Sequence, residues 1–176
     1  MTPKNSHPEI EQRGPQTYIG RTETVTMATI SRAADRIPEI IGWLGEHSAA
    51  PVGAPFLRYR VIDMEDTVVV DAGVPVDDSV DESGIGDSGL ALHSLPAGRY
   101  VTMTHHGHVD QLQDANAALL AWAAEQDIEL DMSTADDGQH WAGRLEIYLT
   151  NPAEQPDPTQ WQTVVAIKTT LSLIHI

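Results

Sequence analysis

The sequence has 176 residues, long enough for one well-buried domain and short for two, and its 41% hydrophobic content is ordinary for a folded protein. Its net charge of −16 would repel phosphate backbones, which argues against direct nucleic-acid binding. The absence of cysteine excludes disulfides and zinc–thiolate sites, and without an apolar signal or spanning segment we expect a cytoplasmic protein that binds no membrane.

The first half of the chain predicts one strand, one helix and two further strands. Residues 1–20 carry prolines and glycine that interrupt any regular pattern, so we expect a flexible lead. β-branched residues predict a strand over 24–30, and apolar residues at i, i+3, i+4 and i+7 predict a helix over 35–46. Apolar alternation then predicts strands over 56–62 and 67–76.

The second half repeats this order after an acidic, glycine-rich segment at residues 77–89, which we expect to be a mobile linker. It predicts a strand over 98–106, a helix over 110–126, and strands over 145–149 and 163–170. Between the helix and the last two strands, the polar residues around 136–138 indicate a loop.

Short motifs recur between the two halves at a growing offset, which indicates a duplicated unit. Val25-Thr26-Met27 returns as Val101-Thr102-Met103, and an apolar helical segment around Trp43 returns around Trp122. The predicted fold class is α+β: duplicated βαββ modules form a curved antiparallel sheet with two helices on one face and a ligand cleft at the pseudo-twofold. We expect a single domain over residues 21–170, built from repeats at 22–76 and 95–170.

The last six residues, 171–176, resemble a translated sequencing adapter. We therefore expect a non-native tail and leave these residues out of the functional argument.

Several segments in the expected order resemble one protein family. In the second repeat they are Leu-Pro-Ala-Gly-Arg-Tyr at 95–100, His106-Gly107, and Leu-Glu-Ile-Tyr-Leu-Thr-Asn-Pro at 145–152. In the first repeat they are Gly-Ala-Pro-Phe-Leu-Arg-Tyr at 53–59 and Gly-Val-Pro-Val at 73–76. Over about residues 22–170 the chain resembles the GyrI-like small-molecule-binding domain, the effector-binding domain of bacterial transcription activators.

The resemblance implies a ligand cleft between the two copies, in which a glutamate lies among aromatic residues that receive flat, often cationic molecules. The glutamate of the matching segment is Glu146, with Tyr148 two residues on. Many relatives carry a DNA-reading helix-turn-helix before this domain. The roughly twenty residues before the first predicted strand leave no room for one, so we expect a stand-alone form. Relatives often have Pro-Tyr where this chain has His108-Val109, so one pocket aromatic is expected to be missing.

The alternation of the 145–149 strand supports a role for Glu146. Glu146 and Tyr148 share one face and Leu145 and Ile147 share the other. We expect the apolar face to contact the helices, which would turn Glu146 towards the cleft. A carboxylate among aromatic rings favours a cationic ligand, because burial of an unmatched charge is costly. The alternative is a solvated strand glutamate paired with an arginine.

Five further residues are candidates for ligand contact. Tyr59 and Leu57 of the first repeat occupy the positions that Tyr148 and Glu146 occupy in the second. This correspondence predicts that the cleft has one acidic and one apolar wall. Trp141 lies in a predicted loop and could cover the ligand. Trp122 and Trp43 lie on the predicted helices, where they fit the core or the wall of the cleft.

The histidine-rich run at 105–110 is not predicted to bind metal, because neighbouring strand residues point to opposite faces. No other cofactor signature is present, and the oligomeric state is open. The leading prediction is a stand-alone protein that binds hydrophobic, aromatic or cationic small molecules. The alternatives are a hydrolase of reactive electrophilic natural products that uses Glu146, and an acidic inhibitor of a DNA-processing enzyme.

Overall fold

The computed structural model describes residues 4–63, 67–86 and 88–171, and the chain divides into two compact units. Unit 1 contains the segments up to residue 14, 97–131 and from 144 onward, and unit 2 contains residues 15–96 and 132–143. The fold class is α+β with antiparallel strands, as predicted. In chain order the elements are β1 (Lys4–Asn5), β2 (Glu9–Arg13), β3 (Gln16–Val25), α1 (Ser31–Ala34), α2 (Arg36–Glu46), β4 (Phe56–Ile62), β5 (Val68–Pro75), β6 (Ala91–Leu95), β7 (Gly98–His106), α3 (Leu112–Glu125), β8 (Met132–Ala135), β9 (Gly138–Trp141), β10 (Arg144–Tyr148) and β11 (Gln162–Lys168).

Unit 1 is an antiparallel sheet packed against one helix. Strand β7 pairs with β11 on one side and with β1 and β2 on the other, and β10 pairs with β11. Helix α3 packs against β7 and β11. Its inward stripe follows the i, i+3, i+4 spacing of an amphipathic helix and consists of Leu112, Ala115, Leu119 and Ala123.

In unit 2 the strands pair antiparallel in the order β6–β3–β5–β4, with the β8–β9 hairpin beside β4. Helix α2 buries Ile37, Ile40 and Leu44. Its Arg36 donates to Glu23 of β3 at 2.8 Å, and Glu23 pairs with Val70 of β5. Because directly paired residues in an antiparallel ladder share a face, α2 covers the Val70 side of the sheet.

The N-terminal segment differs from the expected flexible lead, because residues 4–5 and 9–13 form strands and β3 begins at residue 16. Strand β2 directly precedes β3 but pairs with β7, while β6 directly precedes β7 but pairs with β3. The strand before each repeat therefore belongs to the unit formed by the other repeat. β2 and β6 supply hydrogen-bond partners to backbone groups along β7 and β3, which is why segments with weak local signals become strands.

Most other predicted elements are confirmed, and the exceptions have local reasons. The strands at 56–62 and 98–106 match β4 and β7, and both long helices lie where the apolar spacing predicts them. The strand predicted over 24–30 is wrong beyond Val25, because a 3-10 turn at Met27–Thr29 begins there. Thr26 and Thr29 cap this turn through reciprocal hydrogen bonds. The polar loop around 136–138 is the turn of the β8–β9 hairpin.

The acidic segment at 77–89 is anchored at both described apolar positions. Val80 and Ile85 are buried, and the carboxylates of Asp77 and Asp81 accept hydrogen bonds from the backbone N–H groups of Ser79 and Ser83. Its mobility stays a prediction, as do the single domain and the cleft between the repeats.

Of the expected tail, residues 172–176 lie outside the described residues. No helix within the described ranges is long and apolar enough to cross a membrane.

Candidate functional site

Glu146 lies in the middle of β10 with a buried carboxylate. The residue is 7% exposed, and it pairs with Val165 of β11, which in turn pairs with Met103 of β7. The Nδ2 of Asn116 donates to Glu146 Oε2 at 3.1 Å, and the Tyr148 hydroxyl donates to Oε1 at 3.3 Å. Each carboxylate oxygen is thus oriented by a neutral donor from unit 1.

The contact with Asn116 corrects the predicted orientation of Glu146. We expected the apolar face of the strand to contact the helices, yet Glu146 reaches a side chain of α3. The helix supplies a polar group at this point, since Asn116 lies beside its apolar stripe and also donates to the carbonyl of Leu112 at 2.9 Å. The glutamate and the helix therefore share one side of the sheet.

Tyr148 remains protonated next to this carboxylate. Burial raises the pKa of the Tyr148 hydroxyl well above its ordinary value, and the negative charge of Glu146 raises it further. At neutral pH the hydroxyl is therefore a hydrogen-bond donor to Glu146. Asn116 has no titratable group, so it too orients the carboxylate without neutralising it.

Tyr59 and Leu57 lie together on β4 in unit 2. They are 7% and 2% exposed, and their cross-strand partners on β5 are Val70 and Ala72. Since Val70 also pairs with Glu23, which contacts α2, both side chains lie on the α2 side of their sheet. The structure thus joins Glu146 with Tyr148 in unit 1, and Tyr59 with Leu57 in unit 2.

The three tryptophan candidates have different surroundings. The prediction of an irregular loop at Trp141 is wrong, because Trp141 is the last residue of β9. It pairs with Met132 and is 7% exposed. Trp43 is half-buried and stacks on His47 with ring centroids 3.9 Å apart. Trp122 is half-buried on α3, one turn beyond the buried Leu119.

The histidine-rich run is used for local structure. His105 is fully buried, with Nδ1 2.9 Å from Asn5 Oδ1 and Nε2 3.2 Å from the carbonyl oxygen of His108. The ring of His108 accepts from the backbone N–H of Asp110 and stacks on Trp161. Within the described part of the chain, no group of three His, Asp or Glu residues is arranged to hold a metal ion.

Sequence reasoning missed a buried polar cluster in unit 2, centred on Asp71. This fully buried carboxylate accepts from Tyr18 and Thr22 at 2.6 Å each and from Arg60 Nε at 2.7 Å. Burial opposes ionisation of Asp71, but these hydrogen bonds outweigh it and hold the pKa below its ordinary value. Burial and the neighbouring Asp71 raise the pKa of Tyr18 to about 12.

Two sequence signals point to the missed residues. Asp71 is the one acid in an otherwise apolar strand, and an acid at such a position requires partners. Asn116 is a polar residue one turn after Leu112, beside the apolar stripe of α3. Neither signal identifies the partner, which in both cases lies far away in the sequence.

Several solved structures share this fold at low sequence identity. The chain of EcmrR in a DNA complex matches with a TM-score of 0.72 and 16% identity over 93% of this chain, which spans 57% of that chain. The isolated C-terminal domain of EcmrR matches with a TM-score of 0.68 and 15% identity, covering 94% of this chain and 98% of that domain.

Two further structural neighbours are a ligand-bound protein and a hydrolase. SAV2435, solved with bound tetraphenylphosphonium, matches with a TM-score of 0.63 and 13% identity over 94% of both chains. A hydrolase from Listeria innocua matches with a TM-score of 0.60 and 13% identity, covering 93% of this chain and 91% of that one.

No curated protein sequence matches this chain significantly. The GyrI-like small molecule binding domain, by contrast, matches residues 6–168, nearly the whole sequence. The chain therefore belongs to the GyrI-like small molecule binding domain family.

Proposed function

We propose that this protein binds a hydrophobic, aromatic or cationic small molecule, with Glu146 as the group that attracts the positive charge. The single observation that carries the proposal is the buried Glu146 carboxylate, which Asn116 and Tyr148 hold by hydrogen bonds from neutral groups. A buried carboxylate oriented in this way can stabilise a cation with little reorganisation, because its geometry is fixed before the ligand arrives.

Aromatic and apolar side chains would supply the rest of the contact. Tyr148 adjoins the carboxylate directly. We further assign ligand contact to Tyr59, Leu57 and Trp141 of unit 2, and to Trp122 and Trp43 on the helices. Ring faces attract cations by about 0.5–2 kcal/mol per contact. The fold neighbour SAV2435 was solved with tetraphenylphosphonium, a cationic aromatic compound, which supports this ligand class for a family member of similar fold.

The first experiment is a titration of tetraphenylphosphonium against the intrinsic tryptophan fluorescence of the wild type. A Glu146→Gln variant should lose at least about tenfold in affinity, equivalent to about 1.4 kcal/mol, because the charge is removed while the shape is retained. Glu125→Gln, an exposed position at the end of α3, is the matched control and should bind as the wild type does. Equal affinity of all three proteins would contradict the role of Glu146.

A second candidate function is hydrolysis of electrophilic compounds. The contact between the Tyr148 hydroxyl and Glu146 places a hydrogen-bond donor beside a carboxylate that could accept a proton from water. A hydrolase from Listeria innocua shares the fold. Incubation with a panel of epoxides and activated esters, followed by mass spectrometry, distinguishes the two functions. A diol heavier than its epoxide by one water molecule, or the acid and alcohol released from an ester, would favour hydrolysis if Glu146→Gln does not form them, and unchanged compound favours binding alone.

A further inference from the structure

The side-chain amide of Asn116 is fixed at two points within unit 1. Its Nδ2 donates to the carbonyl oxygen of Leu112, one turn earlier on α3, at 2.9 Å and to Glu146 Oε2 on β10 at 3.1 Å. Since Nδ2 carries two hydrogen atoms, these contacts use both of them. The opposite orientation of the amide would place Oδ1 against two oxygen acceptors, which cannot donate to it. The two neighbours therefore determine which way the amide faces.

The oxygen of this amide is left open to solvent. Within the described residues, Asn116 forms its two hydrogen bonds through Nδ2, and Oδ1 accepts none. The residue is half-buried, and Oδ1 is not one of the fully buried polar atoms that lack a partner. Oδ1 and Nδ2 are bonded to the same carbon, so this free acceptor lies next to the atom that contacts Glu146.

A free acceptor at this place affects which cations fit. A ligand that meets the Glu146 carboxylate would exclude water from the neighbouring Oδ1. A cation without N–H groups then leaves the oxygen without a donor, and a desolvated acceptor without a partner weakens binding. A cation with N–H groups replaces the lost water. Sites with a fixed polar group discriminate strongly against analogues that cannot pair with it.

We propose that Asn116 is a specificity-determining residue whose Oδ1 accepts a hydrogen bond from the ligand. The site then selects organic cations that carry N–H groups, such as protonated amines and amidines. This inference rests on the proposed function, in which Glu146 attracts the positive charge, and it narrows the ligand class. Tetraphenylphosphonium has no N–H group, so it would bind through its charge and its rings alone.

The test compares two flat cations, protonated 9-aminoacridine and 10-methylacridinium. Both contain the acridine ring system and one positive charge, but only the first carries N–H groups. Calorimetric titration at pH 7 gives the affinity for each cation, and the ratio of the two affinities is the quantity compared between variants. The general attraction of a chain with a net charge of −16 for cations acts on both alike and cancels in this ratio.

We expect the wild type to prefer 9-aminoacridine at least about fivefold, and Asn116→Ala to reduce this ratio at least about threefold. The alanine variant also removes the donor to Glu146 Oε2. That loss weakens the binding of both cations, and it leaves the carboxylate with one more site that can accept from a ligand N–H group. The second effect raises the ratio, so a fall in the ratio reports the loss of Oδ1.

Asn116→Asp is the matched control, because it keeps an acceptor oxygen at the same position and its added charge acts on both cations alike. It should retain the preference for 9-aminoacridine. Equal affinity of the wild type for the two acridines, or an unchanged ratio in Asn116→Ala, would overturn this inference alone. An equal loss of preference in Asn116→Asp and Asn116→Ala would also overturn it, since the oxygen would then not be the cause. If the wild type binds neither acridine nor tetraphenylphosphonium, the proposed function fails and the inference fails with it.

Discussion

At the scale of single residues, the described part of the chain has two buried carboxylates with different partners. Glu146 accepts hydrogen bonds from the amide of Asn116 and the hydroxyl of Tyr148. Asp71 is bound by Arg60 in addition to two hydroxyl groups, so its charge is matched within unit 2. A buried carboxylate needs hydrogen-bonding or charged partners to offset the cost of its desolvation, and the two sites meet this need with different groups.

The lowered pKa of Asp71 makes folding stability depend on pH. A carboxyl whose pKa is lower in the folded than in the unfolded chain stabilises the fold above its unfolded value of 3.8. This contribution is lost as the pH falls through the folded pKa. We expect Asp71→Asn to lower the free energy of unfolding by about 3 kcal/mol at pH 7, because Arg60 loses its partner. The difference in the free energy of unfolding between wild type and Asp71→Asn should shrink below pH 3.8.

Urea unfolding of both proteins from pH 7 down to pH 2.5 measures this effect. Asp78→Asn, an exposed acid of the 77–89 segment, controls for the general change in net charge. A wild-type–variant difference that stays constant over the whole pH range would contradict the assignment of this pH dependence to Asp71.

At the scale of elements, the packing of unit 2 depends on close approach at two paired glycines. Gly20 of β3 pairs directly with Gly73 of β5, and the ring of Tyr18 lies against both positions. Phe56 meets Tyr18 edge to face with centroids 5.0 Å apart. The absence of side chains at the two glycines provides the space for these buried rings, and the position of Tyr18 in turn fixes the Asp71 cluster.

Substitution of Gly73 by alanine tests this packing. A Cβ there would lie 2.7 Å from Phe56 Cζ and 2.8 Å from Tyr18 Cδ2, so one of the rings must move. We expect Gly73→Ala to lower the free energy of unfolding by about 1–3 kcal/mol. Gly42→Ala on α2 meets nothing within 4 Å and should raise it by about 0.5–1 kcal/mol through helix propensity.

Chemical denaturation of wild type and of the two alanine variants measures whether each substitution raises or lowers the free energy of unfolding. A stabilising effect of Gly73→Ala would show that the rings of Tyr18 and Phe56 have room to move away without loss of packing.

At the scale of the whole molecule, the net charge of −16 is the dominant property. A compact chain with so many more acids than bases repels itself, and salt screens this repulsion. We expect the melting temperature to rise by about 3 °C between 0.05 and 0.5 M NaCl, which corresponds to about 1 kcal/mol for a chain of this size.

Thermal melts followed by circular dichroism measure this shift. Sucrose at equal osmolality is the control, because it stabilises proteins without screening charge. A melting temperature that falls with NaCl would mean that the ion pairs of the fold contribute more than the overall repulsion.

Strong apolar periodicity was sufficient to predict most strands and helices, and the family motifs were sufficient to single out Glu146. The strand at 56–62 and the helix ending at Glu46 follow from apolar spacing, because burial of one face of an element leaves a local pattern. Motifs at a few positions also sufficed to predict an α+β fold and a small-molecule-binding family. These properties depend on residues close together in the chain.

Which faces and edges meet depends on contacts between distant parts of the chain. Strands β2 and β6, which directly precede β3 and β7 in the chain, have weak local patterns. Each becomes a strand because a strand distant in sequence offers backbone groups for pairing. Apolar alternation showed that Glu146 and Leu145 point opposite ways, but not which side the helix covers. Asn116 of α3 decides that side for Glu146, as Tyr18 and Arg60 decide the environment of Asp71. Such contacts join residues far apart in the chain, so no local pattern records them.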